Sequence, residues 1–247
     1  MNNGAIYIDK GREVGVLLIH GFTSSAYQFN ELARYLAEKN VTVLAPMIIG
    51  HGTTPDDLIK TNPDDWLKSI EEPLRFLQSK VKKVFLLGNS FGGNLAFELS
   101  LKNSVAGIIS LGTPIFLRRF WWVKLRLLTD YRFRKYYRKP PALYRIDYTD
   151  FSDEVTYPVI PIKCLRDFLG FIEKRTIPHL PEVKAPVLIV HSSGDQVIHP
   201  RSAQYIHEHI GSGKKRIYWL RAFTHEVTKS RRREEIFDKI YQFISEN

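Results

Sequence analysis

The sequence predicts an α/β fold: a mostly parallel central sheet flanked by helices, with a mainly helical cap inserted into it. Three observations predict it. Short β-branched apolar runs recur along the 247 residues, longer amphipathic stretches separate them, and one long segment breaks the alternation.

Taken in order, Val14 to Ile19 and Val41 to Ala45 are the first two strands, joined by a helical pattern over Glu31 to Lys39. Asp64 to Lys80 is the next helix. It leads into a strand at Val84 to Leu87, a helix at Asn94 to Leu101 and a strand at Ile108 to Leu111. After the break, Val187 to Val190, a helix over Arg201 to Ile210, Arg216 to Leu220 and a helix over Glu234 to Ile244 resume the pattern. The break runs from Thr113 to about Val183 and carries Pro140-Pro141, Pro158, Pro161 and Pro178. Residues 1–112 and 184–247 are therefore expected to form the core and 113–183 the cap.

A chain of this length with 44% hydrophobic residues can bury one substantial core without disulfides or metals. The single cysteine, Cys164, cannot form an internal bridge and is expected to be packing. No apolar run approaches the roughly 20 residues that span a bilayer, and Met1-Asn2-Asn3-Gly4 does not open a leader, so a cytoplasmic protein is the plain reading. The formal charge of +10 favours anionic partners without choosing among them.

Gly88-Asn89-Ser90-Phe91-Gly92 directly follows one predicted strand and precedes a predicted helix. A serine at such a sharp turn is strained, and its neighbours two positions away must lack side chains. Gly88 and Gly92 meet that need, and the following helix directs its positive end at charge developing near Ser90. An ordinary tight turn is the bland alternative, and the flanking strand and helix weigh against it.

A serine hydroxyl needs a base within reach and an acid to orient that base. Asp195 follows the strand Val187 to Val190, and His225 follows Arg216 to Leu220, in the order serine, acid, histidine. The other histidines fit less well. His207 and His209 sit two apart on a helix and face different directions; His191 and His199 crowd Asp195; His179 lies in the proline-punctuated end of the insertion. Asp150, Asp153 and Asp167 lie within the insertion and rank below Asp195. An oxyanion hole needs two backbone donors: one is expected on Phe91, the other on Phe22 in His20-Gly21-Phe22-Thr23 after the first strand, with His20 bracing that loop.

Together with Gly50-His51-Gly52, Pro55-Asp56-Asp57-Leu58, Asp65-Trp66 and Gly194-Asp195, these motifs resemble α/β-hydrolases of the bacterial carboxylesterase and monoacylglycerol lipase type over most of the chain. The resemblance implies the α/β-hydrolase fold, with roughly eight strands or slightly fewer and the cap inserted after the sixth. It also implies a small-molecule acyl ester substrate and an acyl-enzyme formed without a cofactor or metal. In it, the Gly-His-Gly segment and the Asp-Trp pair are structural. The chain departs from the pattern at Glu226, where relatives tend to carry an apolar residue; a carboxylate folded inward there raises the His225 pKa.

From Thr113 to Asp150, Arg118, Arg119, Lys124, Arg126, Arg132, Arg134, Lys135, Arg138, Lys139 and Arg145 outnumber Asp130, Asp147 and Asp150. Phe116, Phe120, Trp121, Trp122, Tyr131, Phe133, Tyr136 and Tyr137 are interleaved with them. Some of these aromatics are expected to line an acyl pocket, and the cations either solvate the cap or rest on an anionic lipid surface. No recognition module for nucleic acid is present, and the oligomeric state is left open. An acyl-thioester hydrolase and a noncatalytic module docking on membranes are the other readings.

Overall fold

A computed structural model describes residues 4–118, 120–129, 133–139 and 156–247. Pro140-Pro141, Arg119, Asp130, Tyr131, Arg132, Arg145, Asp147, Asp150 and Asp153 lie outside these, as do the side chains of Phe120, Trp122 and Arg126.

Seven strands make the central sheet: β1 (Ile6–Ile8), β2 (Val14–Ile19), β3 (Thr42–Ala45), β4 (Lys83–Asn89), β5 (Gly107–Leu111), β8 (Val187–Ser192) and β9 (Lys215–Leu220). Their order is β1-β3-β2-β4-β5-β8-β9, with only β1 antiparallel to its neighbour. The predicted strands all occur. The three-residue β1, too short to show a period, is an addition. Because among the described residues only β1 precedes β2, the insertion leaves the sheet after its fifth strand, not its sixth.

Helices α1 (Asn30–Glu38), α2 (Pro55–Ile59), α3 (Pro63–Lys80), α4 (Phe91–Ser100), α8 (Arg201–His209) and α9 (Arg233–Glu246) surround the sheet. Side chains alternate across a strand, so Val16 and Leu18 join a core with Leu32 and Leu36 of α1 and Ile240 of α9. Leu17 and Ile19 join another with Ile70 and Leu74 of α3, Leu95 of α4 and Ile206 of α8. Helices on both faces are the reason that β2, β4, β5 and β8 read as nearly continuous apolar runs. Asp65 and Trp66 are structural here. Asn62 accepts from the Asp64 and Asp65 amides at 2.9 and 3.2 Å, and Asp65 accepts the Asn62 N–H in return, closing a capping box at the start of α3. Trp66 is fully buried and donates to Thr61 Oγ1 at 2.7 Å.

The insertion contains α5 (Phe120–Leu128), an antiparallel ribbon of β6 (Tyr136–Arg138) and β7 (Val159–Pro161), and α6 (Ile162–Phe171), which passes through a π-helical stretch, Ile172–Thr176, into α7 (Ile177–His179). The two-stranded ribbon is the non-helical part of an insertion expected to be mainly helical. Chain order reverses between β2 and β4, neighbours from which the strands progress in opposite directions. At such a switch point the loops at the carboxyl ends diverge and leave a crevice.

Candidate active site

Ser90 sits where β4 turns into α4, with φ 51° and ψ −122°, a conformation that costs a non-glycine residue of order 1–3 kcal/mol. Close packing enforces it. A Cβ on Gly88 would lie 2.2 Å from the Gly92 carbonyl oxygen, and one on Gly92 only 2.0 Å from that of Ile19. The Ser90 N–H donates to the Leu111 carbonyl at 2.7 Å, and the Gly93 N–H to the Ser90 carbonyl at 2.9 Å, pinning both sides of the turn.

His225 follows β9 and Asp195 follows β8, and the structure brings both to Ser90. His225 Nε2 is 3.0 Å from Ser90 Oγ, and Nδ1 is 2.8 Å from Asp195 Oδ2. A carboxylate only accepts, so Nδ1 carries the hydrogen and Nε2 faces the serine hydroxyl as acceptor. The other Asp195 oxygen accepts the Val197 and Ile198 amides at 2.8 and 2.9 Å. Burial opposes charge on both groups. In Asp195 the nearby imidazole and those amides outweigh it and hold the carboxyl below its usual range; in His225, Asp195 and then Glu226 outweigh it and raise the pKa. Glu226 is folded inward, accepting from Asn89 Nδ2 at 3.0 Å.

The amides of Phe22 and Phe91 sit on the loops flanking the switch point, and neither has an acceptor among the described residues. His20 sets the first of them. Its Nδ1 donates to the Gly21 carbonyl at 3.0 Å while its Nε2 accepts the Ile48 N–H at 3.0 Å. Gly21 C=O and Phe22 N–H belong to one planar trans peptide, so holding the carbonyl on one side turns the N–H to the other. Burial pushes the His20 pKa down to about 4, so the ring is a neutral brace, as anticipated.

The remaining candidates lie elsewhere. His191 is fully buried with Nε2 3.8 Å from Asp195, and burial lowers its pKa to about 4. His199 Nδ1 accepts the Arg201 N–H, His179 meets Glu98 at 3.1 Å, and His209 stacks on Tyr205. Asp167 pairs with Lys163 at 2.9 Å. Cys164 is buried.

Several supporting residues were not singled out from sequence. Gln28 Oε1 accepts the Gly21 N–H at 3.0 Å. Arg118, counted above as one more cap cation, donates its Nε to the Asp195 carbonyl, and its own N–H bonds the Val197 carbonyl at 3.0 Å. Trp66 meets Phe91 edge-on at 5.6 Å, and the insertion's aromatics packed on the elbow come from α6, outside the stretch expected to supply them. Phe168 stacks on Phe22 with centroids 5.1 Å apart and meets Phe91 edge-on at 5.0 Å, and Phe171 meets Phe91 at 5.2 Å. Trp121 and Phe133 are instead exposed, because α5 and the start of the ribbon turn those side chains outward.

A hydroxyl, an imidazole and a buried carboxylate in one hydrogen-bonded row, beside two unspent amides, form an arrangement able to activate a nucleophile and receive an oxyanion. The family model described as serine aminopeptidase, S33, matches residues 12–231. The chain belongs to this family. Within it, the chain is 26% identical over 237 residues to a carboxylesterase of Bacillus subtilis (strain 168), covering 95% of this chain and 94% of that protein. It is 27% identical over 242 residues to a thermostable monoacylglycerol lipase of Bacillus sp. (strain H-257), covering 98% and 94%. Among solved structures, one from work on the metagenome-derived lipolytic enzymes LipS and LipT superposes with a TM-score of 0.85 at 27% identity, covering 99% of each chain. The resemblance read from the motifs and the α/β-hydrolase fold both hold.

Proposed function

We propose that the chain is a serine carboxylic ester hydrolase acting through an acyl-enzyme. The observation that carries this reading is the continuous row from Ser90 Oγ through the two His225 nitrogens to Asp195, at 3.0 and 2.8 Å. Ser90 attacks the ester carbonyl as His225 Nε2 takes its proton. Asp195 holds the resulting imidazolium, and the Phe22 and Phe91 amides bind the oxyanion. His225 then delivers the proton to the leaving alcohol; water, activated by the same imidazole, releases the acid and restores Ser90.

Esters are preferred to peptides as substrates because the two Bacillus relatives, aligned along nearly the whole chain, are a carboxylesterase and a monoacylglycerol lipase. Residues 113–183 act as a cap over a core of 1–112 and 184–247, with Phe168 and Phe171 against the elbow. Ser90→Ala is expected to lower turnover of p-nitrophenyl esters by on the order of 10⁴ or more and to abolish fluorophosphonate labelling. Near-normal activity in that variant overturns the reading. Comparing kcat/KM for p-nitrophenyl esters, monoacylglycerols, acyl-CoA and aminoacyl p-nitroanilides ranks esters against thioesters and amides.

A further inference from the structure

Lys139 is a cation that the chemistry above does not use. It ends the β6 arm of the cap ribbon and is 8% exposed. Its N–H donates to the Pro158 carbonyl at 3.0 Å, and its Nζ donates to Thr23 Oγ1. Thr23 immediately follows Phe22, is fully buried, and is held at φ 62°, in the left-handed region that a β-branched residue rarely adopts. Its hydroxyl donates to the Phe22 carbonyl, and its own carbonyl accepts the Tyr157 N–H at 3.1 Å. Both arms of the ribbon therefore end on one residue of the oxyanion loop.

Neutral partners would suffice to hold a loop. An ammonium buried against a hydroxyl, and making no ion pair among the described residues, is an expensive way to do it. The charged and titratable groups whose fields meet it are Glu226, His225 and His51. Glu226 is engaged by Asn89, His51 is buried and its pKa is pushed down to about 3, and His225 belongs to the proton-transfer row. Among the described residues, this surrounding holds no anion on the Phe22 side of Ser90. A Cβ on Gly21 would lie 3.4 Å from Ser90 Cβ, and Gly21 is only two residues, at most about 7 Å, from Thr23. The tetrahedral oxyanion forms in that space.

We infer that Lys139 is a positioning residue through which the cap completes the oxyanion site, holding Thr23 and setting a positive charge behind the Phe22 amide. The inference rests on the ester-hydrolase reading. A fixed charge in a dry site acts on the transition state, where the oxyanion exists, more than on the neutral ester, so it belongs in kcat and not in KM. Burial draws the ammonium down to about 8, so it is charged at neutral pH and loses its proton in mild alkali.

The test uses Lys139→Met, which keeps length and removes charge, and Lys139→Arg, which keeps charge at any accessible pH. Lys139→Met is expected to lower kcat for p-nitrophenyl butyrate by about tenfold or more at pH 7 with KM within about twofold. Lys139→Arg should recover most of that loss and hold kcat steady above pH 8, where deprotonation of the lysine is expected to lower it in the wild type. Because Lys139 opposes protonation of His225, Lys139→Met should also move the acid limb of the kcat/KM profile to higher pH. An unchanged kcat in Lys139→Met, or an arginine variant as slow as the methionine one, overturns the inference. Ser90→Ala run alongside separates the two readings: if it is inactive and Lys139→Met is not impaired, only the inference falls, whereas a fully active Ser90→Ala removes both.

Discussion

Gly92→Ala tests whether the elbow and the loop after β2 are held at one fixed separation. The added Cβ would lie 2.0 Å from the Ile19 carbonyl oxygen and 2.8 Å from that of His20, against a closest real approach of 3.0 Å. Both obstacles are backbone, so no side chain can swing aside, and the gap must open by about 1 Å. Ile19 and His20 lead into the loop carrying Phe22, and Gly92 follows Phe91, so the opening separates the two amides. A misplacement of that size costs roughly 10²-fold in rate, about 2.7 kcal/mol of transition-state stabilisation. Overpacking should cost about 1–3 kcal/mol of stability, lowering Tm by roughly 2–12 °C in a chain this size. Steady-state kinetics on p-nitrophenyl butyrate at 25 °C, with a thermal melt of the same sample, would show kcat reduced about 10²-fold in a folded protein. A folded Gly92→Ala protein with wild-type kcat would refute the reasoning.

Three further outcomes are expected. Asp195→Asn should lower kcat by on the order of 10⁴, since the amide no longer fixes the Nδ1–H tautomer or balances the imidazolium; turnover at high enzyme concentration measures it. The acid limb of the kcat/KM profile should lie above the ordinary histidine value of about 6.5, because Asp195 and Glu226 together outweigh burial and the base must be neutral to act. Glu226→Gln removes one of those charges and should shift the limb to lower pH; a limb that stays put would mean that its field does not reach the ring. Asn62→Ala opens the capping box of α3 and should cost about 1 kcal/mol in urea unfolding while leaving kcat unchanged, since α3 supplies no hydrogen-bonding group to Ser90, His225 or Asp195 and its Trp66 stays packed in the core.

What could be read before folding was what is local. The elbow declared itself because a strand, two obligatory glycines and a helix occupy consecutive positions, and the Cβ distances at Gly88 and Gly92 give the reason for the pattern. Asp195 and His225 were legible from their places after strands β8 and β9. Arg118, Asn89 and Lys139 were not, because each acts on a partner distant in sequence: Arg118 on Asp195 is a separation of 77, Lys139 on Thr23 one of 116. Nothing in a run of cap cations distinguishes Lys139, which is buried, from Arg134, Lys135 and Arg138, which are exposed. The edge strand β1 escaped notice because three residues are too few to show a period. Phe168 and Phe171 escaped because attention to composition favoured the richest aromatic stretch, while α6 turns its apolar face onto the elbow.

On the proposed mechanism, the wide spacing of Ser90, Asp195 and His225 governs when the molecule becomes active. Ser90 and His225 are 135 residues apart, and the acid and the base follow adjacent strands on one side of the sheet, both made well after Ser90. At roughly 5–20 residues per second, a ribosome needs on the order of 7–27 s to pass from the serine codon to the histidine codon. For most of that interval, once β5 has emerged, β2, β4 and β5 can pair, so the nascent chain carries the serine turn without its base. On the proposed mechanism the chain is inert until β9 docks, and the onset of turnover during translation would time the closing of the sheet.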